Sequence, residues 1–80
     1  KRQLGRAAEA ERDVAHALSL DPNDAEALLE RAALRRAKGD VRGARADWER
    51  AVRMATDSET AELARRNLEL NPLPPQRRQR

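Results

Sequence analysis

The residues that could carry chemistry are few and scattered. His16 is the only histidine, and the surrounding charged segment supplies no second imidazole or thiolate at metal-ligand spacing, so it reads as a surface side chain. Ser19 and Ser58 lack the glycine context of a strained nucleophile turn, and the three glycines form no phosphate-cradling loop. With no cysteine, disulfides, thiolate metal sites and thiol nucleophiles are excluded, while the compartment is left open. The 14 acidic residues lie among 17 basic ones and read as solvated helix faces; spacing alone singles out no carboxylate pair. The expectation is therefore no catalytic residue, no metal, no cofactor and no small-molecule substrate: not an enzyme.

The formal charge of +3 suggests a nucleic-acid partner until it is located. Arg77, Arg78 and Arg80 supply the whole excess, because residues 1–76 hold 14 basic and 14 acidic residues. The body of the chain thus has no net field to steer it toward phosphate. Binding of nucleic acid or an anionic surface through this tail is the alternative function, but no aromatic residue interleaves with the arginines, which favours a solvated terminus. No stretch approaches the roughly 20 apolar residues of a membrane span, and no signal-peptide pattern is present, so a soluble chain is expected. The sequence begins at Lys1 in mid-pattern, which reads as an excised domain or the tail of a longer protein, and its 15 arginines against 2 lysines suggest a GC-rich bacterial source.

The apolar residues recur at steps of three and four, the helical period. Ala7, Ala10, Val14, Ala17 and Leu18 predict a helix over 7–20; Asp21-Pro22-Asn23 ends it, and Asn23 with Glu26 has the spacing of a capping box. A second helix over 24–37 carries Leu28, Leu29, Ala32, Ala33 and Leu34 and stops at Lys38-Gly39-Asp40, where glycine suits a left-handed C-terminal residue and Asp40 a cap. A third over 41–55 presents Val41, Ala44, Trp48, Ala51, Val52 and Ala55. Thr56 and Glu59 repeat the capping spacing before a fourth over 58–70, and Asn71-Pro72-Leu73-Pro74-Pro75 forbids further helix. Trp48 lies on the apolar stripe and belongs to the core rather than to an exposed binding site.

Shifting the sequence by 34 residues superimposes Gly5 on Gly39, Ala10 on Ala44, Asp13 on Asp47, Val14 on Trp48, Ala17 on Ala51, and then Ala27 on Ala61 and Leu34 on Leu68. With these residues the chain resembles the tetratricopeptide repeat (TPR) family, in which a pair of antiparallel helices spans 34 residues. Residues 1–24, closing at Pro22, resemble a partial unit, its second helix; 25–58 match a complete unit through Leu28, Ala32, Gly39, Ala44, Trp48 and Ala51; 59–70 resemble a C-terminal capping helix; and 71–80 form a Pro/Arg-rich tail. Arg31 and Arg35 depart from the usual Leu and Tyr, and Thr56 from the closing Pro. A variant of the family pairs such an arginine with an aspartate on the partner helix, which implies an Arg31–Asp47 contact and leaves Asp13 awaiting an arginine of its own.

The resemblance implies an all-α fold, stacked antiparallel hairpins in a right-handed solenoid fragment of about four helices plus an extended tail. It also implies a protein-binding scaffold whose groove is lined by Glu26, Leu29, Ala33 and Arg36. Leu29 and Ala33 stand where carboxylate-clamp members present Lys and Asn, so a peptide or helix with an apolar side fits better than a C-terminal carboxylate. One and a half repeats leave the N-terminal helix open, which suggests more repeats upstream or self-association into a homo-oligomer.

Overall fold

The computed structural model describes the backbone of residues 2–73 and the side chains of residues 6–73. The described residues form four helices, α1 (Arg2–Leu20), α2 (Ala25–Ala37), α3 (Val41–Met54) and α4 (Ser58–Leu70), with no strand among them. The chain is thus all-α. α1 starts at Arg2 rather than near residue 7 and runs through Gly5, a residue that costs a helix only about 1 kcal/mol.

Capping differs from expectation at two helices, for one physical reason. Asp24, not Asn23, caps α2 by accepting from the Ala27 amide at 3.2 Å. Asp57, not Thr56, caps α4, accepting from the Thr60 amide at 2.9 Å and from its hydroxyl at 2.9 Å. In each case a carboxylate stands one residue nearer the first free amides of the helix and reaches the N3 position. Asn23 instead donates its amide to Asp21 Oδ1 in an Asx turn and accepts from Arg50 Nη2 at 3.0 Å.

The turn between α2 and α3 is built by two interlocking caps. Gly39 adopts φ +89°, its amide donates to Arg36 O at 2.9 Å, and the Asp40 amide donates to Arg35 O at 2.8 Å. This is a Schellman closure of α2. Asp40 then caps α3, accepting from the Gly43 amide at 2.9 Å. A β-carbon on Gly43 would collide with that carboxylate, so glycine here leaves room for the cap.

Arg31 lies opposite Asp47 and Arg35 opposite Gly43, a descending register that makes α2 and α3 antiparallel. At the far end Asp21, Asn23, Asp24, Ala25 and Glu26 gather with Met54, Thr56, Asp57 and Thr60, so the α1–α2 and α3–α4 connections share one end of the molecule. α3 reaches α4 through Arg45, which donates to the Leu68 and Asn71 carbonyls at 2.8 Å each. The cation lies at the negative end of α4, where it adds a donor to the Leu68 carbonyl, which also accepts from the Asn71 amide, and engages the carbonyl of the cap residue Asn71.

The core is Leu28, Ala32, Ala44, Trp48, Ala51 and Ala64, with Leu18, Leu29, Val52 and Leu68 packed around it. Four of these six are alanines, so the helix backbones approach closely and Trp48, 2% exposed, fills the remaining space. α2 is central: it packs on α1, α3 and α4, whereas α1 neighbours α2 alone among the described helices.

Nothing lies within 4 Å of a β-carbon placed on Gly39, so the cost of Gly39→Ala is conformational. Urea unfolding should show about 1–2 kcal/mol of lost stability for Gly39→Ala and less for Gly39→Asn. Equal stability of all three proteins would contradict the turn geometry.

Candidate functional site

Among the described residues Asp47 is the one buried charged side chain, only 3% exposed. An ionised carboxylate taken out of water is costly unless its lone pairs are engaged. Arg31 from α2 engages it in a fork, Nε to Oδ2 at 3.0 Å and Nη2 to Oδ1 at 2.9 Å. These bonds push the Arg31 pKa further up against the opposing effect of desolvation, so the guanidinium stays charged. Arg35, one helical turn on, adds Nη1 at 3.3 Å and also donates to the Gly43 carbonyl. The spacing of Arg35 from Asp47 gave no warning of this second donor, but a basic residue four positions after Arg31 was the signal that could have found it.

The four groove candidates follow helical steps of three, four and three along α2, in differing surroundings. Glu26 stands at the turn end beside Asp21, Asp24, Met54 and Thr60. Leu29 is half-buried against the core, so much of its side chain is committed to packing. Ala33 and Arg36 are exposed, and Ala33 lines a hollow between α2 and α1. The acidic turn end is also committed: Asp21, Asp24 and Asp57 spend carboxylate oxygens on the amides of Asn23, Ala27 and Thr60.

The hollow beside Ala33 lies open between α1 and α2, with a volume of about 400 Å³. α1 contributes Ala10, Asp13 and Val14; α2 contributes Glu30, Ala33 and Leu34. Its floor is apolar and its rim carries two carboxylates. Val14 and Leu34 also border a smaller hollow of about 170 Å³ with Arg31, Arg35 and Lys38, and Lys38 pairs with Glu11 across it. Both of those side chains are well exposed, so this pair adds little to holding α1 in place.

Trp48, Leu28, Ala32, Ala44 and Ala51 are buried, Pro22 is exposed in the first turn, and His16 is exposed on α1. Arg77, Arg78 and Arg80 lie outside the described residues. Among the described residues no cluster of three or more His, Cys, Asp or Glu side chains could hold a metal, and no helix is long and apolar enough to cross a membrane. No protein-family model matches the chain, and comparisons with curated proteins and with solved structures find none similar to it.

Replacing Asp47 with Ala strands two arginines whose side chains are 38% and 37% exposed. Solvent screens them, so the expected loss is about 2 kcal/mol rather than the larger figure for a fully buried pair. A double replacement, Arg31→Met with Asp47→Leu, should cost less than the sum of the two single changes in denaturant unfolding; strict additivity would argue against direct coupling. At α4, the Asp57 carboxylate is held below its ordinary value of 3.8 first by the Thr60 amide and then by the Thr60 hydroxyl. A lowered folded-state pKa means that the cap acts in full above pH 3.8 and is lost as pH falls through the lowered value. The Thr60 amide resonance should follow that titration, and Asp57→Asn should abolish it.

Proposed function

We propose that this chain is a protein-interaction scaffold of the TPR type. In this reading residues 1–24 form the second helix of a partial unit, 25–58 a complete unit and 59–70 a capping helix, stacked as a right-handed solenoid segment. The 34-residue internal period supports it, as do the antiparallel register of α2 and α3 and the order of packing, with each helix set against its predecessor and α2 also against α4.

The observation that carries the functional reading is the hollow between α1 and α2, an apolar floor with acidic groups at its edge and no part of the described chain across it. A partner helix or peptide laid there would bury its apolar side on Ala10, Ala33 and Leu34, while Asp13 and Glu30 set its orientation. The site is preformed by helices, which lowers the ordering cost of binding. Leu29, half in the core, takes a secondary part, and Ala33 becomes the residue to test.

Ala33 is exposed, so Ala33→Glu should leave helicity by circular dichroism unchanged while a partner captured by the wild-type chain is lost. Identical captured proteins for both chains would remove the hollow from consideration. A companion chain lacking residues 76–80 addresses the arginine tail: it should retain the partner, and salt-sensitive nucleic-acid binding abolished by that deletion would favour the tail instead.

A further inference from the structure

Val14 and Leu34 form a ridge between two hollows on opposite flanks of the α1–α2 pair. On α1, Ala10 and Asp13 fall to one side of Val14 and Glu11 and Ala15 to the other; on α2, Glu30 and Ala33 fall to one side of Leu34 and Arg31, Arg35 and Lys38 to the other. The second flank is turned toward α3, because Arg31 and Arg35 reach Asp47 from it. The smaller hollow, of about 170 Å³, therefore looks away from the side on which a helix ahead of α1 would stack in a repeat array.

The internal period does not repeat this hollow. A shift of 34 residues carries Val14 onto Trp48, Arg35 onto Glu69 and Lys38 onto Pro72. The smaller valine leaves room where the second copy has a buried indole, and the two cations have no basic counterpart there. Its charge is also unbalanced: Arg31, Arg35 and Lys38 border it against Glu11, with Asp47 buried behind the arginines. Asp47 occupies Arg31 Nε and Nη2 and Arg35 Nη1, and among the described residues Arg31 Nη1 and Arg35 Nε and Nη2 have no partner. No buried polar side-chain atom among those residues lacks a partner, so these N–H groups are open to solvent. The guanidiniums are thus held from behind by a fixed carboxylate, which lowers the side-chain ordering that an incoming anion must impose.

We infer that the hollow bordered by Arg31, Arg35 and Lys38 binds a small organic carboxylate with a compact apolar body, the carboxylate received by Arg35 and Lys38 and the body lying on Ala15 and Leu34. A guanidinium matches a carboxylate in shape and charge, and Lys38 is available because its pair with Glu11 is exposed and exchanges readily. An apolar cavity of about 150 Å³ takes a benzene ring, so the space suits an aryl or short branched carboxylate. The apolar floor gives inorganic phosphate nothing to rest on. This site is independent of the scaffold reading.

The test titrates benzoate into the full 80-residue chain, isotopically labelled for nuclear magnetic resonance. Shifts should fall on the Ala15 and Leu34 methyl groups and on Arg35 Nε–H, with a Kd on the order of 1 mM, and added salt should weaken the binding. Lys38→Gln, at a side chain 63% exposed, should weaken it about fivefold. Ala15→Leu, at an exposed position, should abolish it by filling the hollow, and both variants should keep wild-type helicity by circular dichroism. Benzyl alcohol, the uncharged analogue, should produce no shift. Equal shifts from benzyl alcohol would reduce the site to an apolar crevice, and phosphate binding as tightly as benzoate would reduce it to unselective charge; either result overturns the inference. So does the absence of shifts at benzoate well above that Kd, or an affinity that either substitution leaves unchanged. The scaffold reading stands or falls separately, on Ala33→Glu.

Discussion

A carboxylate inside a small helical protein must be bound on all sides or it will not stay there, and Asp47 sets the geometry of this one. Its two arginine partners come from a single neighbouring helix and from successive turns of it. That fixes the rotation of α2 about its own axis and its height along α3 at the same time. Hydrophobic burial cannot do this alone, because a seam of alanines and leucines packs nearly as well after a small slide or roll. The charge cluster therefore supplies uniqueness where the core supplies driving force.

The core that it orients is made of small residues. Alanines at Ala32, Ala44, Ala51 and Ala64 bring backbones close but contribute little area each, and one tryptophan accounts for much of the filled volume. A chain of this length buries only about 60–65% of its unfolded surface, so few interactions are spare. They are not evenly distributed. α2, α3 and α4 enclose one another, with Arg45 tying the end of α4 to α3, while α1 rests on one neighbour and a solvent-exposed ion pair. The side of α1 away from α2 is thus the least anchored part of the described chain.

Much of this architecture was legible in the residues. The stripe from Val41 to Ala55 fixed α3 to within a residue, and Gly39 marked the left-handed turn, because period and glycine conformation are local properties of a chain. The Arg31–Asp47 pairing came from a family resemblance, not from spacing. Caps were misread where a polar residue and an aspartate stand side by side: Asn23 and Thr56 satisfy the simple pattern, but Asp24 and Asp57 reach the helix amides. The role of Arg45 was not legible, since it depends on a long side chain crossing between helices, and that of Arg35 was signalled only by its place one turn after Arg31. At Leu29, which is half-buried against the core, periodicity assigns a helix face without saying how far the neighbouring helix covers it.

Asp40 belongs to two helices at once. Its amide closes α2 and its carboxylate opens α3, with Gly39 forced into the one conformation that lets both happen. The corner therefore has a set length: a residue added or deleted there would unhook one helix from the other and carry Arg31 and Arg35 out of line with Asp47. The connection at Asp21, Pro22 and Asn23 is exposed and closes no such double cap. Insertions, tags or divergent loops belong at that end of the molecule, and the Gly39 corner behaves as a hinge pin whose dimensions the rest of the hairpin inherits.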